Sequence, residues 1–153
     1  LADAGHTNEI VDLYAMHFNP DFTARDYPAW VDESFPVDIL KNMIQESSGG
    51  SIPRFFLKPW LRNKDAAYLV KLIRKFQPSD VVEQQRKIAQ AQGFAVIFPV
   101  WFVGTPAILT GWIERVFTYS FAYPLHPQGW KGDIKGRLPL FKHEKALLIN
   151  TTL

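Results

Sequence analysis

Residues 94–123, FAVIFPVWFVGTPAILTGWIERVFTYSFAY, constrain the fold more than any other stretch of the chain. Residues 94–98 form a continuous apolar run, as expected of a strand buried on both faces of a parallel sheet. Pro99 stops the run. Thr105 and Pro106 then supply a helix start: a capping hydroxyl, and a proline in the first turn, where a missing N–H costs nothing. The pattern sets Trp101 and Phe102 at the C-terminal end of a strand, where open α/β sheets bind their ligands.

The flanking segments extend this pattern. Residues 9–14, EIVDLY, read as a strand, and Asn19-Pro20 turns the chain after it. Residues 21–37 are loop-like. Residues 37–46 suit a short helix. Residues 55–76 can be helical after Pro59, with Leu69, Leu72, Ile73 and Phe76 at helical spacing. Residues 80–92 read as a helix with Asp80 as N-cap, Glu83 three residues on, and Gly93 as terminator. Residues 145–150, KALLIN, form a second buried strand. Strand, helix, strand, helix, loop, strand specifies an α/β fold with a parallel sheet and right-handed crossovers. The chain is one domain, with an insertion at about residues 37–76.

Composition narrows the function classes. The 153 residues are 47% hydrophobic and 21% charged, enough for one domain with a real core. A net charge of +2 gives no reason to expect a nucleic-acid partner. There are no cysteines, so disulfides, thiolate catalysis and Cys-type metal sites are excluded. His6, His17 and His143 lack metal-ligand spacing, and no metal is expected. No apolar run reaches transmembrane length, and membrane association is not expected. The basic stretch from Arg54 to Lys75 holds a single acid, Asp65; it suits a membrane surface or an anionic ligand, but a solvated helix face is the favoured reading.

The chemistry concentrates between Pro99 and Gly104. Past Pro99 the loop amides are expected to be free for a ligand. Trp101 and Phe102 can stack on a planar ring, and Gly104 permits close backbone approach. From the residues alone, the two rings could equally cover the start of the helix at Thr105.

Pro99, Val100, Trp101 and Phe102, followed by Pro106, Ala107, Leu109, Gly111, Trp112 and Phe121-Ala122-Tyr123, resemble the flavin-dependent NAD(P)H:quinone oxidoreductases, a branch of the flavodoxin-like fold. Residues 11–20, the helix around residues 82–88 and residues 145–152 are also similar to that family. The resemblance implies a flavodoxin-like three-layer sandwich with strand order 2-1-3-4-5. It implies FAD, or FMN in its place, with NAD(P)H as co-substrate and two-electron hydride transfer through the flavin to a quinone. Pro99, Val100, Trp101, Phe102, Val103, Thr151, Thr152 and Gln85 would hold the flavin. Tyr123 would line the substrate pocket from the partner subunit of a homodimer, together with Trp101, Phe102 and His126. The setting would be cytoplasmic.

Thr110 departs from the lysine usual before Gly-Trp in that family, and Leu125 from a second pocket tyrosine. The family's first strand and its final strand are not matched, so the chain reads as a piece of a longer protein. The family's hydride-relay pair falls on no residue here, and no catalytic residue is assigned. The same resemblance admits an azo- or nitro-reductase, or a regulatory flavoprotein subunit of a potassium-efflux system.

Overall fold

A computed structural model describes residues 5–47, 54–119, 121–124, 131–136 and 139–151. In chain order these residues form α1 (Val37–Ser47), α2 (Arg54–Leu61), α3 (Ala66–Ile73), α4 (Ser79–Gln90), β1 (Gly93–Pro99), α5 (Ala107–Val116) and β2 (Lys145–Thr151). The strands pair in parallel, with Gly93 opposite Lys145 and Pro99 opposite Thr151. Parallel strands need a crossover, and α5 supplies it.

The strand expected at residues 9–14 does not form. Its residues pair with no strand among those described. Instead the Asp12 carboxylate accepts the amides of Tyr14 and Ala15 at 2.9 and 3.0 Å. The Asp12 carbonyl accepts from Met16, and the turn closes on His17 at φ 51°. Local aspartate capping competes with extended structure and prevails here. Within the expected loop at residues 21–37, a 3-10 turn covers Tyr27–Trp30, with Pro28 near its start.

Two apolar clusters organise the described residues. One joins Ile88 of α4 to Leu109, Trp112 and Val116 of α5, with Phe18 beside them and Val96 and Phe98 of β1 packed against it. The other joins Val31 to Leu40 and Ile44 of α1, Leu57 and Leu61 of α2, and Leu69, Val70 and Ile73 of α3. Leu69 and Ile73 are buried as their spacing predicts, Leu72 packs partly, and Phe76 is exposed. Helix formation starts at Arg54, before Pro59, and stops at Leu61; Asp65 then caps α3 by accepting the Tyr68 amide at 2.8 Å.

β1 is not buried on both faces. Phe94, Val96 and Phe98 turn toward the helices, whereas Ala95 and Ile97 are exposed. β2 is exposed along its whole length. The described helices thus cover one face of the sheet, and chiefly its β1 side. α4 ends at Gln90, where the Ala91 amide returns to Lys87 and Ile88, so Gly93 opens β1 rather than closing the helix.

Candidate functional site

Because β1 and β2 run parallel, both C-terminal ends lie at one sheet edge. The Val100 amide donates to the Thr151 carbonyl at 3.0 Å, extending the ladder one step past Pro99. The chain then turns tightly. The Trp101 amide donates to the Gly104 carbonyl at 2.9 Å, and the Gly104 amide to the Trp101 carbonyl at 2.8 Å. Between them Phe102 has φ 45° and Val103 φ 67°. Two consecutive positive φ angles make a type I′ turn, which normally takes Asn-Gly. A β-branched valine in that region is a strained placement, costing about 1–3 kcal/mol.

This geometry puts the left-handed positions at Phe102 and Val103, and it corrects one expectation. The loop amides are not all free: those of Val100, Trp101 and Gly104 are spent within the protein. The amides of Phe102 and Val103 have no acceptor among the described residues. Phe102 and Val103 are fully exposed and Trp101 is more than half exposed, so Phe102 does not cover the helix start. Nor does Thr105 cap α5. Pro106 holds the N-cap position, and the Thr105 hydroxyl meets the Thr110 hydroxyl at 2.7 Å.

The other predicted residues disperse. The Gln85 side-chain amide donates to the Val116 carbonyl at 3.0 Å and to the Thr118 hydroxyl at 3.1 Å, fixing the chain as it leaves α5. Tyr123 sits in a separate aromatic hollow of about 500 Å³ with Phe22, Trp30, Ile113, Glu114 and Phe117. Its ring meets Trp30 edge-on at 6.4 Å. Partial burial pushes its hydroxyl pKa above the ordinary value of 10.0. Trp101 and Phe102 do not line this hollow. His126, Leu125 and Thr152 lie outside the described residues. The structure therefore gathers Pro99 to Val103 with Thr151 at one edge and leaves Tyr123 elsewhere.

Arg115 is the residue that sequence reasoning missed. A surface pair with neighbouring helix residues is the simple expectation, yet Arg115 is only 4% exposed. Its Nε donates to Asp26 Oδ1 at 2.8 Å, and Nη1 to the Asn19 carbonyl at 2.6 Å and Asp80 Oδ2 at 2.7 Å. The guanidinium also lies 5.1 Å from the centre of the Phe18 ring. Burial alone would lower its pKa, but the hydrogen bonds and charges of Asp80 and Asp26 prevail and hold it above its ordinary value. Asp80, expected to cap α4, is thus committed to Arg115, and α4 has no side-chain cap. One signal was available in the sequence: Arg115 falls on the same helical stripe as Leu109, Trp112 and Val116.

Comparison with known proteins places this geometry. Over 99% of its length the chain is 29% identical to a ribosyldihydronicotinamide dehydrogenase-like protein traD of Penicillium crustosum, and it spans 47% of that protein. It is 33% identical to NAD(P)H dehydrogenase [quinone] 1 of Cavia porcellus over 94% of the chain and 40% of the relative. It is 34% identical to the human ribosyldihydronicotinamide dehydrogenase [quinone] over 92% of the chain and 50% of the relative. The chain thus spans about half the length of the curated relatives it matches. A family profile described as the flavodoxin-like fold matches residues 1–152, taking in both parallel strands, the helix between them and the strained turn at their shared edge; the chain belongs to that family.

Proposed function

We infer that the protein containing this chain is a flavin-dependent NAD(P)H:quinone oxidoreductase working as a homodimer. The observation that carries this reading is the turn at Trp101–Gly104. It presents two unspent amides, Phe102 and Val103, beneath exposed aromatic rings and beside the end of β2. A flat, hydrogen-bonding heterocycle needs that combination: an apolar wall, N–H donors along one edge, and a backbone held in place before the ligand arrives. FAD fits it, with FMN as the alternative; the redox chemistry, two electrons at a time between nicotinamide and quinone, comes with the bound flavin.

The residues' own tasks follow. Trp101 and Phe102 would flank the ring, Thr151 and Thr152 would bond it, and Pro99 and Val100 end the strand so that the turn can face outward. Gln85 braces the α5 exit from behind. Tyr123, lying apart from Trp101 within one chain, fits a role across a dimer interface. The names of the relatives, which act on quinones with nicotinamide donors, support the choice of substrates.

The test is purification of the full-length protein. It is expected to carry visible flavin absorbance and to oxidise NAD(P)H when a soluble quinone is supplied. Replacing Trp101→Ala and Phe102→Ala together is expected to weaken flavin retention about tenfold while leaving stability unchanged, since both rings are exposed. A colourless full-length protein that takes up neither FAD nor FMN overturns the reading.

A further inference from the structure

The insertion concentrates the chain's positive charge. Seven of the 17 basic residues fall within residues 54–76, against one of the 15 acids, Asp65. Asp65 is occupied as the α3 cap, accepting the Tyr68 amide. Among the described residues, none of Lys58, Arg62, Lys64, Lys71 and Lys75 forms an ion pair. Lys41 of α1 donates to the Arg62 carbonyl at 3.2 Å and brings a further cation to the same region.

The apolar sides of α2 and α3 are consumed by the cluster they share with Val31 and α1, through Leu57, Leu61, Leu69, Val70 and Ile73. What remains outward is mixed. Tyr68 and Lys71 share one side of α3, Lys64 lies against Tyr68 from the turn before the helix, and Lys75 follows in the 3-10 turn after it. Trp60 is 45% exposed and Tyr68 40% exposed, with ring centres 6.0 Å apart. Lys64 Nζ lies 4.5 Å from the Tyr68 ring centre and 5.6 Å from that of Trp60. The cation thus pins two half-exposed aromatic rings at the outer surface of the hairpin.

We propose that this face, Trp60–Lys64–Tyr68–Lys71–Lys75, docks on a bilayer bearing anionic lipid headgroups. The contact is peripheral, as no helix among the described residues is long and apolar enough to cross a membrane. Three features select a bilayer over other anionic partners. None of Trp60, Lys64, Tyr68, Lys71 and Lys75 lines the Tyr123 hollow or the concavity beside Asp32, so neither of those pockets would hold an anion through this face. The cations on this side are mostly lysines, which supply charge without the fixed fork that reads a structured carboxylate. Indole and phenol rings, apolar with one polar atom each, suit the layer between water and hydrocarbon. Lysines beside them gain from the negative surface potential of that layer.

The experiment is co-sedimentation of the full-length protein with phosphatidylcholine vesicles, with and without phosphatidylserine. The expected result is sedimentation only with phosphatidylserine present, reversed by added salt. Neutralising Lys64→Gln, Lys71→Gln and Lys75→Gln together is expected to cut partitioning about tenfold or more. Trp60→Ala with Tyr68→Ala is expected to weaken it as well, with circular dichroism unchanged for both variants. The proposal is overturned by failure to sediment with phosphatidylserine, by equal sedimentation with both vesicle types, or by a triple lysine variant that partitions like the parent. Retention on polyglutamate that survives the loss of Trp60 and Tyr68 overturns it too, and makes the partner an acidic protein.

Discussion

Arg115 brings a full positive charge into the packed interior and repays its desolvation with acceptors from three directions. Those acceptors lie 89, 96 and 35 residues away, at Asp26, Asn19 and Asp80. Removing one partner of such a group costs more than the pair contributes, because the other charge stays behind unpaired. Arg115→Met, close in shape but neutral, is expected to lose about 3–5 kcal/mol of stability in urea denaturation. Four positions earlier the constraint is steric. A Cβ at Gly111 would stand 2.1 Å from the Pro20 carbonyl oxygen and 2.6 Å from the Pro20 Cα. Both are backbone atoms that cannot rotate away, so Gly111→Ala is expected to destabilise by about 3 kcal/mol, read from the thermal midpoint. In the sequence Gly111 stands out as a poor helix former and as part of the family pattern; its physical reason lies in a loop more than 90 residues upstream.

At the scale of elements, α3 and α4 make a contrast. Both have an aspartate near their start, but only Asp65 accepts an amide of its own helix. Asp65→Ala is expected to cost about 1 kcal/mol, and Asp65→Asn, which keeps an acceptor, a few tenths. For Asp80 the conservative change does not rescue. Asp80→Asn is expected to lose about 1–2 kcal/mol, because it weakens a charged hydrogen bond to Arg115 rather than a cap. Comparing the two asparagine variants by chemical denaturation separates the roles. The helices at residues 37–47 and 79–90 and both parallel strands were legible in the chain, since periodicity and apolar runs are local properties. The expected strand at residues 9–14 failed on the same ground: a strand is completed by its neighbour, and the Asp12 turn needs none.

Across the whole molecule, Asp32 joins parts of the chain that are far apart in sequence. It borders a concavity of about 320 Å³ shared by Val70 and Arg74 on one side and Tyr119 and Leu140 on the other. Partial burial acts to raise its pKa. Hydrogen bonds from the Ser34 hydroxyl, Tyr119 and the Ser34 amide, with the charge of Arg74, prevail and hold it below 3.8. A depressed folded pKa contributes stability that is present above 3.8 and lost as pH falls through the lower folded value. Asp32→Asn is therefore expected to flatten the fall of stability with acid, measured as urea midpoints below that pH.

The sheet sets a second expectation at this scale. Ile97, Leu147, Leu148 and Ile149 are exposed large apolar residues on a two-stranded ladder. Residues 1–153 produced by themselves are expected to self-associate through this surface. Ile97→Lys with Leu147→Lys is expected to shift them toward monomer in sedimentation velocity. By itself the amino-acid order determined a parallel α/β fold, the strand-turn-helix around Trp101 and the family to which it is similar, because each rests on neighbours in the chain. Only the tertiary structure decided that Phe102 and Val103 keep the unspent amides, that Thr151 stands beside Val100, that Tyr123 lies apart, and that Arg115 is interior. Those outcomes depend on which distant groups claim each donor and each surface, and such competition is settled only when the chain closes on itself.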